Sequence, residues 1–336
     1  MTYAAPSGVL DLIADIGGTN ARFALTDPNS DVPQLLHPLS LPCAEFASLQ
    51  HAAESYLATV QIQPGRAAIA VASPVSRDEV RMTNRAWSFS QTELRDKLGL
   101  RQLLMLNDFG AVAWSIPALR SNDMDLLHGQ TQIPLHGPIT VLGPGTGLGI
   151  ALLVGDAISD WRVIETEGGH ASFAPQGDEE RAIARWLGAR YGRASNERLL
   201  SGSGLSHIDA ALAAYDAGTP TADNVVHREP PDIVAAALDG HDLRARRTLA
   251  RFCAILGSVA GDAALIHGAK TVVIAGGIVP RFLPFLRASA FRERFLAKGR
   301  FAAWLESVSV EVVTHAAPGL LGAAIALRRM PEESSP

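Results

Sequence analysis

Lysine is almost missing from this chain. Among 336 residues only Lys97, Lys270 and Lys298 are lysines, against 26 arginines, and none of the three lies in a glycine turn. A Walker loop, which ends in Gly-Lys-Ser/Thr, is therefore excluded, and the Gly-x-Gly-x-x-Gly dinucleotide fingerprint is absent too. Cysteine is scarce. Cys43 and Cys253 alone build neither a disulfide scaffold nor a four-cysteine zinc site, and Cys253 falls in an apolar helical stretch as a small core residue. No run approaches the ~20 apolar residues of a membrane span. The first apolar stretch has no basic segment before it and is broken by Asp11 and Asp15, so no secretory signal is read there. A surplus of positive charge is lacking as well. A net charge of −5 and a pI near 6.1 argue against nucleic acid as partner. The expectation is a soluble cytoplasmic protein with neither nucleic acid nor membrane among its partners. Its length suffices for two domains with substantial cores.

What the chain does have is one pattern used twice. The apolar run Leu12–Ile16, carrying Asp15, meets Gly17-Gly18-Thr19-Asn20 and leaves as Ala21–Leu25. Further on, Thr140-Val141-Leu142 meets Gly143-Pro144-Gly145-Thr146-Gly147 and leaves as Leu148–Val154. Each reads as a β-hairpin whose glycines supply positive φ. Each also offers successive N–H groups and a Thr hydroxyl, which together can cradle phosphate. Asp15 could hold magnesium through water. Two such units suggest two similar half-domains facing one phosphate chain, held without lysine.

Strands and helices alternate through the first third: a helical pattern over Ala44–Val60, a strand at Ala67–Ala72, an extended segment Met82–Trp87, and a helix opening at Ser90 with Glu93 as capping partner. A strand at Leu103–Leu106 follows. After a boundary near Ile116-Pro117 come the second hairpin, a strand near Trp161–Thr166, and helices at Arg181–Tyr191 and Leu243–His267. In the last of these Gly257 and Gly261 stand four apart for close packing. A buried strand Thr271–Ala275, a strand Val308–Val313 and a helix Gly319–Arg329 close the fold. This alternation indicates layered α/β architecture.

Four sets of residues could carry chemistry. Asn107-Asp108 ends a buried strand before a helix, so Asp108 reads either as an N-cap or as a general base. In Glu167-Gly168-Gly169-His170 the acid and the imidazole would share a helix face, but the glycines argue for a loop. Glu197, in Ser195-Asn196-Glu197-Arg198-Leu199-Leu200-Ser201-Gly202, reads by itself as an exposed helix-start acid. Gly276-Gly277, after a buried strand, reads by itself as close packing of a strand–helix turn.

Asp15-Ile16-Gly17-Gly18-Thr19-Asn20, Gly145-Thr146-Gly147 and Ile274-Ala275-Gly276-Gly277-Ile278-Val279-Pro280-Arg281-Phe282 together resemble the bacterial glucokinase family of the sugar kinase, Hsp70 and actin superfamily. The blocks occur in the family's order from about Leu10 to Arg329. The resemblance implies an α/β, two-domain actin-like (ribonuclease H-like) ATPase fold with an interdomain cleft. Residues 1–118 plus 315–330 would form a small domain, residues 119–314 a large one, and residues 331–336 a disordered tail. The last helix would cross back onto the first domain. The implied activity is ATP-dependent phosphorylation of D-glucose to glucose 6-phosphate, the entry to glycolysis, with domain closure excluding water. Leu106–Phe109 matches the family's Leu/Ile-Asn-Asp-Phe block, which makes Asp108 the general base and Asn107 a glucose ligand. Glu167, His170 and Glu197 carry over as further glucose ligands. ATP would be held by Ala14, Asp15, Ile16, Gly17, Gly18, Thr19, Asn20, Gly145, Thr146, Gly147, Gly276 and Gly277, with Mg2+ at Asp15 through water. A homodimer is implied as well. The rivals are a related kinase for another hexose or an acylated amino sugar, a sugar-responsive regulator on the same fold, and an Hsp70-like ATPase. The first usually carries a cysteine-rich zinc motif, and this chain has no cysteine between Cys43 and Cys253.

Overall fold

The computed structural model describes residues 10–30, 32–82, 86–219 and 227–330. Thr83-Asn84-Arg85 of the extended segment and the tail 331–336 lie outside them. The chain divides into two compact units, one built from residues up to Arg120 and from His315 onward, the other from Ser121–Thr314.

The first unit opens with β1 (Asp11–Ile16), β2 (Asn20–Thr26) and β3 (Leu36–Pro42), an antiparallel meander. α1 (Leu49–Val60) is capped by Ser48, whose hydroxyl accepts from His51 N–H, so the helical pattern begins later than Ala44. β4 (Arg66–Val71) then joins β1 in parallel. β5 (Glu79–Arg81) and β6 (Ser88–Ser90) form a small ribbon, and α2 (Gln91–Lys97) starts where Ser90 accepts from Glu93 N–H, as the capping pattern requires. β7 (Gln102–Asn107) completes the sheet parallel to β4 and runs straight into α3 (Asp108–Ser115). The strand order is β3-β2-β1-β4-β7. Alternation along β1 explains its double burial. Leu12, Ala14 and Ile16 join the core shared with α1, and Ile13 joins a second core on the opposite face.

The second unit repeats the plan. β8 (Met124–His128), in a stretch whose polarity gave no strand signal, becomes an edge strand. β9 (Ile139–Pro144), β10 (Leu148–Val154) and β11 (Arg162–Thr166) form the meander. Helices α4 (Gly177–Tyr191), α5 (Gly202–Asp216), α6 (Pro230–Asp239) and α7 (Leu243–His267) follow, with α4 starting four residues before Arg181. β12 (Thr271–Ile274), α8 (Leu283–Ala288), α9 (Phe291–Leu296), α10 (Ala302–Glu306) and β13 (Ser309–Val313) complete it. The order is β11-β10-β9-β12-β13-β8, with β9, β12 and β13 parallel. An antiparallel meander followed by two parallel strands is thus common to both units.

α7 is 25 residues long, and its apolar window reaches a mean hydropathy of 1.6. By length and composition alone it could cross a membrane, which no continuous apolar run in the sequence suggests. In the structure 72% of that window is buried. Gly257 and Gly261 bring α7 against α9: a Cβ on them would lie 2.2 and 2.6 Å from the Phe291 and Phe295 carbonyl oxygens. The final helix, α11 (Pro318–Arg328), belongs to the first unit. It packs on α3 and closes the core of Ile13, Ala68, Ala70, Ala111, Leu320, Ala324 and Leu327.

Candidate active site

In the first unit the residues singled out by sequence gather at the carboxyl ends of the parallel strands, where ligands collect in such sheets. β1 ends at Ile16, β4 at Val71 and β7 at Asn107, side by side. Gly17-Gly18-Thr19 turns the chain, with Gly17 N–H donating to the Asn20 carbonyl at 2.9 Å. Cys43 braces this turn from behind. Its N–H donates to the Thr19 carbonyl at 2.9 Å, and its buried thiol lies 3.6 Å from the Gly17 carbonyl. Ala14 and Ile16 have fully buried side chains, so only their backbone can meet a nucleotide.

Asp15 pairs with Arg22 at 3.3 Å across the hairpin. Burial pushes its carboxyl above the usual range, and the Arg22 guanidinium pulls the other way. A Cβ on Gly319 would lie 2.9 Å from the Asp15 carboxyl carbon, so the acid faces the first turn of α11, where the helix dipole favours negative charge. Among the described residues no group of three or more His, Cys, Asp or Glu could hold a metal. One carboxylate beside a glycine turn is a donor set that fits magnesium, which takes most of its ligands from phosphate and water.

The cap that spacing allowed for Asp108 falls to Asn107. Asn107 is the N-cap of α3: its side-chain oxygen accepts from Phe109 N–H at 3.0 Å and Gly110 N–H at 3.3 Å. Asp108 is the first helical residue, and its Oδ1 accepts from Phe109 N–H at 2.8 Å. The capping that could have accounted for Asp108 is supplied by its neighbour.

In the second unit one cluster forms. Glu167-Gly168-Gly169-His170 is a single 3-10 turn rather than an open loop, with His170 N–H donating to the Glu167 carbonyl at 3.0 Å. Only glycine fits at position 169, because a Cβ there would stand 2.1 Å from the Leu148 carbonyl oxygen. Glu167 and His170 therefore share a face after all: their side chains approach to 3.9 Å, and His170 Nδ1 lies 3.8 Å from Glu197. Glu197 is fixed by three contacts. Its N–H donates to the Gly169 carbonyl at 2.9 Å, and its Oε2 accepts from Leu148 N–H at 3.1 Å. That same Oε2 fills the space a Cβ on Gly147 would need, at 2.4 Å. Glu197 thus abuts the second glycine turn. Arg193, unmarked by any motif, donates to the His170 carbonyl and lies 3.4 Å from Ser172 Oγ.

The second turn is closed by Gly145 N–H donating to the Gly147 carbonyl at 2.8 Å, and the Gly145 carbonyl accepts from Gly202 N–H at 2.9 Å, at the start of α5. Gly17, Gly145 and Gly147 do not have the positive φ expected of them. A Cβ on Gly17 or Gly145 would meet nothing closer than 3.6 Å or 4.0 Å. Neither backbone conformation nor packing requires glycine there, so the open space over the turns is what those glycines keep. Gly276 differs. Its φ is +90° and a Cβ would lie 2.4 Å from the Pro144 carbonyl, while a Cβ on Gly277 would meet nothing.

A meander-plus-parallel sheet used twice, with a glycine turn at the corresponding edge of each, defines the actin-like ATPase fold. A carboxylate–imidazole cluster against one of those turns suits a neutral polyol, and the class is that of the sugar kinases. The glucokinase family profile matches residues 12–330. A glucokinase of Chromobacterium violaceum is 43% identical over 326 residues, covering 96% of this chain and 91% of that one. A glucokinase crystal structure from an Antarctic psychrotroph superposes with a TM-score of 0.83 at 37% identity, covering 96% of this chain and all of that one. At the level of fold alone, a ROK family glucokinase from Streptomyces griseus, solved with glucose and AMPPNP, reaches a TM-score of 0.64 at 20% identity, covering 96% of this chain and 100% of that one. The chain belongs to the glucokinase family, and it phosphorylates glucose.

Proposed function

We propose that the chain transfers the γ-phosphoryl group of ATP to the 6-hydroxyl of D-glucose, with Asp108 as general base. The observation that carries this is the contact between Glu197 and the second glycine turn, which sets a hydroxyl-binding acid one residue from a phosphate-binding backbone. Asn107, Glu167, His170 and Glu197 would take the sugar hydroxyls, carboxylates accepting and the amide and imidazole working in both senses. Gly17 to Asn20 and Gly145 to Gly147 would hold the phosphates through N–H groups and the Thr19 and Thr146 hydroxyls. Gly276-Gly277 would border the adenosine. Magnesium, held at Asp15 through water, would neutralise phosphate charge. Asp108 Oδ accepts the 6-hydroxyl proton as that oxygen bonds to the γ-phosphorus, the bond to the bridging oxygen breaks, and ADP leaves. The acidic set favours a neutral sugar over one already phosphorylated.

The reading includes the cytoplasm as location, and a homodimer as assembly, the latter resting on the family. A coupled assay across hexoses and phosphoryl donors tests the reaction. ATP with glucose should give the highest kcat/KM, and a clear preference for mannose, an acylated amino sugar or polyphosphate would overturn that part. Light scattering after size exclusion should return twice the mass of one chain.

A further inference from the structure

His207 lies on α5, ten residues beyond Glu197 and outside every motif discussed so far. It is buried, with 7% of its surface exposed. Its Nδ1 is 2.8 Å from the Arg198 carbonyl, and its Nε2 is 3.1 Å from the hydroxyl of Tyr191, the last residue of α4. A carbonyl oxygen only accepts, so Nδ1 carries the proton and Nε2 accepts from the Tyr191 hydroxyl. The tyrosine is held in turn, because the Arg198 guanidinium stacks on its ring at 3.9 Å. Burial first, and the Arg198 and Arg190 guanidinium groups after it, pull the His207 pKa down against the Arg198 carbonyl bond, which raises it, and the ring is neutral in that tautomer.

Arg198 directly follows Glu197. The segment is a tight turn, with Arg198 N–H donating to the Ser195 carbonyl at 3.1 Å, so fixing the Arg198 carbonyl fixes the exit of the peptide that carries the acid. The Glu197 side chain must reach Leu148 N–H while leaving its other oxygen toward His170.

We propose that His207, oriented by Tyr191, is a positioning residue for glucose binding, acting through the Arg198 carbonyl on Glu197. The proposal rests on Glu197 being a sugar ligand.

Two amides separate this role from plain packing. Asn at position 207 places its N–H where Nδ1 stands, and Gln places it where Nε2 stands. His207→Gln should raise the glucose KM roughly five- to tenfold, the scale of one lost hydrogen bond, with the ATP KM within about twofold. His207→Asn should keep both constants within about twofold of the parent. Equal glucose KM values for the two variants would overturn the proposal, as would a parallel rise in the ATP KM. Should neither variant fold, Tyr191→Phe keeps the ring but removes the hydroxyl. A glucose KM raised several-fold then supports the proposal, and an unchanged one overturns it. Glu197→Gln is measured alongside. If it leaves the glucose KM unchanged, the sugar assignment fails and this inference with it. If it raises that KM while His207→Gln does not, only the positioning role falls.

Discussion

Gly147 has no side chain because the carboxylate of Glu197 occupies its place. A Cβ there would stand 2.4 Å from Oε2, the oxygen that accepts from Leu148 N–H. The closing residue of the second glycine turn and the Glu197 carboxylate are therefore complementary shapes, fifty positions apart in the chain. Gly147→Ala should displace Glu197 and raise the glucose KM, roughly tenfold for the loss of a hydrogen bond to a charged group, with a smaller rise for ATP. Initial rates with each substrate varied in turn measure the ratio. A variant that loses ATP affinity alone would show the acid to be unconnected with the sugar.

Asp108→Asn is the sharpest test of the chemistry. Because Asn107 already supplies the cap of α3, the change should leave the helix and the melting temperature nearly unaltered. Turnover should fall by roughly 10²–10⁴, the usual contribution of a general base, with ATP binding little affected. A folded variant with near-normal turnover would remove Asp108 from the mechanism.

The phosphate turns should depend on backbone and not on lysine. A Cβ at Gly145 meets only the Gly147 carbonyl, at 4.0 Å, so Gly145→Val should fold and yet weaken ATP by filling the space above the turn. Lys97→Ala and Lys270→Ala should leave ATP affinity intact. Lys298→Ala should also do so while lowering the melting temperature, since Lys298 pairs with Asp262 at 2.6 Å and donates to the Ser258 carbonyl at 3.0 Å. Nucleotide titration by calorimetry, run beside thermal melts, separates the two effects. Loss of ATP binding on any single lysine change contradicts the account.

Glu180 governs stability away from the site. It is fully buried, and Arg294 holds it by two hydrogen bonds, of 2.6 and 3.1 Å. Burial alone would raise its pKa, but the Arg294 bonds, the Gln176 N–H and the charges of Arg294 and Arg251 outweigh it and hold the carboxyl below its usual value. A lowered native pKa means a contribution that is full above the ordinary glutamate range and is lost as pH falls through the native value. Glu180→Gln should cost about 3–5 kcal/mol at neutral pH by stranding a buried guanidinium, and the variant should lose less stability on acidification than the parent. Urea unfolding across that pH range gives both numbers.

Sequence alone determined the local grammar: two hairpins turning on glycine, the Ser90 cap of α2, and the limits of α7 from Leu243 to His267. Each depends on interactions within a few residues, or on a periodicity that one element carries by itself, and so it shows in spacing. The family blocks marked the candidate ligands for the same reason, since each block is contiguous. Tertiary structure decided what those residues touch. Which of Asn107 and Asp108 caps α3 depended on where β7 leaves the sheet. Whether Glu167 and His170 share a face depended on Gly169 finding Leu148. The bonds from Leu148 N–H to Glu197 and from His207 to Arg198 join elements that only the packing of α4 and α5 on the second sheet brings within reach. No periodicity encodes them, because the free energy that selects them is the burial of whole faces and not the preference of any short segment.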